Sequence, residues 1–102
     1  MEVLYKKVII RADRAGVFFG TLKKKRETPA GVEVELENSR RLWYWDGAAS
    51  LSQLATEGTK SPGRCKFTVT VPQHMVEQVI EIIPCTDEAV KSIESVKVWR
   101  ND

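Results

Sequence analysis

An α+β domain, mainly antiparallel sheet or a small β-barrel of five to seven strands with two short helices, is the fold class this sequence predicts. Three observations carry it. Runs of β-branched and aromatic residues alternate with period two, turn residues separate them, and two short segments open with helix-capping side chains.

Val3 to Arg11 is rich in β-branched residues, and Val17-Phe18-Phe19-Gly20-Thr21-Leu22 follows a turn at Asp13 to Gly16, so the two predict a first hairpin. Gly16 reads as a turn residue and Gly20 as a bulge or close-packing position. Lys23-Lys24-Lys25-Arg26-Glu27 leads into the turn signal Thr28-Pro29-Ala30-Gly31, and Val32-Glu33-Val34-Glu35-Leu36 then alternates as a strand with one wet face. Arg40 to Trp45 alternates too, with Leu42 and Tyr44 on one face and Arg41, Trp43 and Trp45 on the other. Asp46-Gly47 breaks that strand. Ser50-Leu51-Ser52-Gln53 matches the capping box, in which serine and glutamine side chains satisfy orphan N–H groups, and predicts a helix from Leu51 to Glu57 stopped by Gly58. Thr59 to Arg64 is a loop, and Lys66 to Val71 alternates as a strand before Pro72. Met75 to Ile83 reads as helix or strand, with Ile80, Ile82 and Ile83 favouring strand before Pro84 ends it. Thr86 is an N-cap with Asp87 and Glu88 in the first turn, and Ala89, Val90 and Ile93 form an apolar stripe on a helix running to Glu94. Val96-Lys97-Val98-Trp99 closes the chain as a final strand.

The 102 residues make one domain, 1–102, with material for one core, and a domain this small gains from covering apolar side chains in a homo-oligomer. The net charge of +2 is too small for a polyanion binder. Its distribution is uneven: residues 1–45 hold ten Lys and Arg against six Asp and Glu, and residues 46–102 hold six against eight, which draws an anion toward the N-terminal half. There is no apolar run of about 18 residues to span a membrane, and Met1 to Lys7 lacks the order of a signal peptide, so a cytoplasmic protein is expected. Cys65 and Cys85 then read as reduced thiols.

Chemistry-bearing patterns are sparse. His74 is the only histidine and reads as a loop residue beside Pro72; no nucleophile has a base at a motif spacing, although a Ser-His-Asp set from distant positions stays open. Cys65, His74 and Cys85 lack the paired spacing of zinc sites, and Gly16 and Gly20 do not open a phosphate loop. No catalytic residue, metal or cofactor is therefore assigned. The run Lys23 to Arg26 reads as a solvated hairpin end or as a phosphate contact.

Arg40 to Gln53 is the exception. Arg40 and Arg41 suit phosphate, Trp43 or Trp45 suits a stacked base, and Tyr44 packs or donates a hydrogen bond. Ser50, Ser52 and Gln53 add polar contacts at a helix start, and Gly47-Ala48-Ala49 would let a ligand approach the main chain. Arg11 and Arg14 are further phosphate candidates. The same residues also fit a seam: aromatic core or interface side chains, with Arg40 and Arg41 paired to Glu33, Glu35 or Glu37 and Ser50 merely capping.

Arg11 to Gly20, Arg40 to Ala55, Ile82-Ile83-Pro84-Cys85-Thr86 and Ser92-Ile93-Glu94 together resemble a family of small uncharacterised proteins encoded by tailed bacteriophages, over nearly the whole chain. The resemblance implies an accessory protein acting in the cytoplasm of an infected bacterial host, and it supplies no catalytic residue. In that setting the expected function is a non-enzymatic, oligomeric sponge that sequesters a nucleotide-type immune signal, of the cyclic oligonucleotide or cyclic ADP-ribose class. Two other classes stand beside it: a protein-binding inhibitor of a host or phage protein, and a small single-stranded nucleic-acid-binding barrel, which the near-neutral charge disfavours.

Overall fold

The computed structural model describes residues 2–101, with side chains from Lys6 onward. Among these residues the elements are β1 (Glu2–Ala12), β2 (Gly16–Thr28), β3 (Gly31–Tyr44), α1 (Leu51–Glu57), β4 (Lys66–Phe67), β5 (Val71–Pro84) and α2 (Asp87–Glu94), with one 3-10 turn at Pro62–Arg64. The five strands form one antiparallel sheet in the order β2-β1-β5-β3-β4, and β2 also pairs with β3. The four long strands thus close into a ring, and the class is α+β as the alternation predicts.

The ring depends on bends. Across β2 and β3 the register runs Phe19↔Arg40 and then Thr21↔Glu37, so Asn38 and Ser39 together oppose Gly20. Asn38 takes φ 52, a left-handed conformation that asparagine tolerates. A Cβ on Gly20 would lie 3.1 Å from Ser39 Cα, so the position is both opposite a bulge and closely packed. A second bulge lies on β5, where Val32↔Val79 is followed by Val34↔Val76 and Gln78 takes φ 56.

Closure gives the chain two apolar layers instead of the one core expected from its length. Val8, Ile10, Ala12, Phe18, Leu22, Val34, Leu36, Val76 and Val79 come from all four ring strands and pack together. The opposite faces of β1 and β2 present Ile9 and Phe19, which pack with Leu42, Leu54, Ala55, Phe67, Ile93 and Val96 beneath the helices. β1 is therefore buried on both faces at Val8, Ile9 and Ile10, which explains its near-continuous β-branched run.

Both helices have the predicted bounds and caps. Ser50 Oγ accepts the Gln53 N–H at 3.1 Å, while Gln53 Oε1 accepts the Ala49 N–H at 2.7 Å. Thr86 Oγ1 accepts the Ala89 N–H at 3.1 Å and donates to Thr56 O at 2.6 Å, tying the end of α1 to the start of α2. Cys65 and Cys85 are free thiols in the layer beneath these helices, and burial pushes the Cys85 thiol up to about 11, with a backbone hydrogen bond opposing the rise.

Three expectations are corrected. The strand expected over Lys66 to Val71 is interrupted: β4 stops at Phe67, and the Thr68 N–H and hydroxyl engage the backbone of Arg41. Pro72 lies inside β5 instead of ending a strand, because the stretch of β5 around it pairs with β3 alone and leaves the other side free of ladder bonds. The final strand at Val96 to Trp99 reduces to one parallel bridge, Phe67↔Val98.

Gly47 carries φ 82, and a Cβ there would sit 2.7 Å from the Lys60 nitrogen and against the Ser61 nitrogen. Gly47→Ala is therefore expected to destabilise the fold by about 2–3 kcal/mol, a loss of roughly 10 °C or more in melting temperature. Gly63→Ala, with nothing within 4 Å of its Cβ, should stay within about 0.5 kcal/mol in the same thermal melt.

Candidate functional site

The segment from Arg40 to Trp45 separates into an internal arginine and an external cleft. Arg40 is only 6% exposed. Its Nε donates to Thr68 O at 3.1 Å, one terminal nitrogen to Ile93 O at 3.1 Å and the other to Phe67 O at 3.2 Å. Burial lowers its pKa from the usual value, and the Glu94 carboxylate partly opposes that shift. Arg40 thus joins the interrupted β4 to a carbonyl in the last turn of α2, and it lies apart from the surface cleft.

Arg41 behaves differently. Its guanidinium lies 4.5 Å from the Phe18 ring centroid, and one N–H donates to Ala15 O in the hairpin turn. Arg41, Leu42, Trp43 and Trp45 line an open cleft of about 570 Å³, whose other wall is Ala15, Gly16 and Val17. Gly16 has φ 110, and a Cβ there would stand 3.6 Å from the Arg41 guanidinium, so glycine serves both the turn and the cleft wall.

The strict alternation of faces does not survive the end of the strand. Trp45 lies past Tyr44, the last strand residue, and packs against the layer that buries Leu42. Tyr44 is 47% and Trp43 58% exposed. Trp43 meets Trp99, with ring centroids 5.2 Å apart and planes at 33°, and Lys66 Nζ lies 5.5 Å from each centroid. Trp99 and Lys66 were not among the sequence-predicted site residues; each was read only as part of a strand, and no local pattern shows that they meet at Trp43.

The helix start does not join this cleft. Ser50 and Gln53 are used in capping α1, and Ser52 is exposed on that helix. Gly47 is enclosed by Thr59, Lys60 and Ser61 of its own chain, which leaves no room there for a ligand at the main chain. Arg11 is paired with Glu81 at 3.1 Å across the sheet. Arg14 is exposed in the turn beside Ala15 and makes no hydrogen bond or ion pair among the described residues. Glu33, Glu35 and Glu37 pair with Arg26 and Lys23 instead of Arg40 and Arg41, so the two ends of the basic run are paired with the neighbouring strand.

His74 lies on β5 opposite Leu36, not in a loop. Its Nδ1 is 2.8 Å from Ser39 Oγ, and its ring meets Phe18 edge-on at 4.9 Å. Ser39 is 1% exposed, so this distant Ser-His pair has no access to a substrate. His74 packs against the ring interior and Cys65 in the layer beneath the helices, and no group of three His, Cys, Asp or Glu is placed to hold a metal among the described residues. No helix among them is long and apolar enough to cross a membrane.

Fold and site define a small α+β protein with a basic-aromatic surface cleft. Residues 5–93 match the family described as a domain of unknown function (DUF6948), and the chain belongs to that family. No curated protein and no solved structure matches it.

Two outcomes follow from this geometry. Arg40→Met removes the charge-assisted donor shared by Phe67, Thr68 and Ile93 and should cost about 2–4 kcal/mol in a denaturant titration, whereas Arg41→Ala should cost no more than about 1 kcal/mol. Burial first, and the Arg41 charge second, lower the His74 pKa below its ordinary 6.5. As pH falls below that value the unfolded chain takes up a proton before the folded one does, so this contribution to stability is present above 6.5 and is lost toward the folded-state pKa. An imidazole NMR titration should give a His74 midpoint under 6.5, and His74→Gln should flatten the melting-temperature profile over that window.

Proposed function

We propose that this protein binds and sequesters, without cleaving, a nucleotide-type signal of the cyclic oligonucleotide or cyclic ADP-ribose class, as a bacteriophage accessory protein that blocks bacterial defence. The observation that carries the reading is the cleft in which the Arg41 guanidinium sits with the Trp43 and Trp45 indoles against the hairpin turn. A guanidinium binds phosphate oxygens in a fork, and an exposed indole holds a base for roughly 1–3 kcal/mol. Arg14, exposed at the same turn and without an ion pair among the described residues, is a second cation for a ligand with more than one phosphate.

The cleft is open, and a second copy of the chain closing over it would exclude water from a small ligand; this is the form the oligomer takes in the proposal. The pairing of Lys23 and Arg26 with glutamates of the neighbouring strand weakens the basic track that a single-stranded nucleic-acid binder needs. A protein-binding inhibitor is the second reading, favoured by the exposure of Trp43, Tyr44 and Trp99, residue types of interface composition.

Thermal shift with native mass spectrometry against cyclic dinucleotides, cyclic trinucleotides and cyclic ADP-ribose isomers tests the choice. At least one member should raise the melting temperature and be recovered intact from an oligomer, and Arg41→Ala should abolish the shift while keeping the fold. Silence across the panel together with a stable complex with a host protein would transfer the site to the inhibitor reading. Recovery of an altered ligand would make the protein an enzyme.

A further inference from the structure

Past Trp43 the surface carries apolar side chains that do not line the Arg41 cleft: Trp99 is 44% and Val69 43% exposed. Trp99 is held in place, since its N–H donates to Phe67 O at 2.9 Å and Val98 bridges to Phe67. Two open clefts share Trp99 and Arg100 as a wall. One, of about 640 Å³, lies against Pro62, Gly63 and Lys97, and the other, of about 320 Å³, against Thr68 and Val69. The charge here has one sign. Among the described residues no Asp or Glu lines either cleft, and Lys97 makes no ion pair. The Lys66 ammonium, 5.5 Å from the Trp43 and Trp99 centroids, meets indoles and no carboxylate among those residues. Asp46, the acidic residue nearest along the chain to Trp43, is balanced by Arg64 at 3.6 Å.

We propose that this surface docks an acidic segment of another protein, which sets an aromatic or long aliphatic side chain beside Trp99 and carboxylates against Lys66 and Lys97. The inference rests on the protein-binding reading, whose surface and partner chemistry it specifies, and it is independent of nucleotide binding in the Arg41 cleft. Exposed tryptophans are the side chains on which interface energy concentrates, and one already fixed by its own backbone loses little freedom on binding. Two clefts that meet at one indole suit a linear segment whose successive side chains enter both. Charge then selects the occupant. A second copy set face to face on the same patch would bring Lys66 and Lys97 against their own kind, whereas carboxylates complement both. A stacked base needs an open ring face, and each indole here already has the other against it. A protein side chain packs on ring edges as well as faces.

Calorimetry on the full chain with three synthetic peptides tests the assignment. The first alternates Asp and Glu with Phe and Leu, the second replaces its acids by Asn and Gln, and the third replaces Phe and Leu by Ala. The first should bind, and each replacement should weaken it about tenfold or more. Trp99→Ala, and separately Lys66→Ala combined with Lys97→Ala, should each weaken the first peptide by about tenfold. Raising salt from about 50 to 500 mM should weaken it in the unaltered protein and much less in the lysine variant. Arg41→Ala should bind it unchanged, which separates this surface from the nucleotide cleft. A further readout needs no variant: the Trp99 indole N–H resonance should move as the first peptide saturates the protein, and a stationary resonance overturns the proposal. No binding of the first peptide, or equal binding by folded Trp99→Ala, overturns it too. So does an oligothymidylate that binds more tightly than the peptide and is lost in Trp99→Ala, which makes the surface a nucleic-acid site, or a dimer that Trp99→Ala dissociates, which makes it a seam between copies. A host-protein complex that withstands Trp99→Ala and the lysine variant keeps the protein-binding reading and overturns this surface as its seat.

Discussion

A buried guanidinium holds the two halves of this fold in register. Arg40 sits where the ring ends and the helical layer begins, and its three bonds reach Phe67, Thr68 and Ile93. Removing a charge from water is costly, and only complete hydrogen bonding compensates it. The local chain is shaped to supply that compensation. The ladder on β3 breaks after β4, which frees carbonyls that a regular strand would have committed, and the last turn of α2 aims a carbonyl at the same cation. The alternation from Lys66 to Val71 would otherwise suit one uninterrupted partner strand for β3; the demand of Arg40 for acceptors coincides with the point where that strand stops.

That arrangement decides what the neighbouring residues can do. Because Arg40 turns inward, Arg41 lies across the β2 hairpin turn and is left at the surface, with Trp43 beyond it. Two adjacent arginines of the same chemistry therefore have different surroundings, one a buried clamp and one in the wall of an open cleft. The bulge at Asn38 and Ser39, immediately before them, brings Ser39 to His74 and places both at the inner layer. Interior and surface cleft are separated by single residue steps along one strand.

The sequence was readable where local physics is decisive. Ser50, Gln53, Thr86 and Gly58 mark the helix ends, because capping satisfies orphan groups whatever the tertiary setting. The first hairpin was equally legible from Val3 to Leu22. Less was readable where a distant partner intervenes. Pro72 looks like a strand end until it is known that one side of β5 has no neighbour there, and a doublet of arginines carries no mark of which one turns inward. The seam that closes the ring was hidden for the same reason: nothing local in Val79 to Pro84 announces that it pairs with Val8 to Ala12. Trp99 was read only as part of a closing strand, because nothing local marks that its indole meets Trp43.

The closed ring has a kinetic meaning as well. Three of its four seams join strands adjacent in sequence or nearly so, but the β1 and β5 seam brings Val8 to Pro84. A contact so distant along the chain carries a large loop-closure entropy before its bonds can offset it. The strand buried on both faces is thus also the one whose last neighbour arrives from the far end of the molecule. The first hairpin closes over a short loop, whereas the β1 and β5 seam has the longest loop to close.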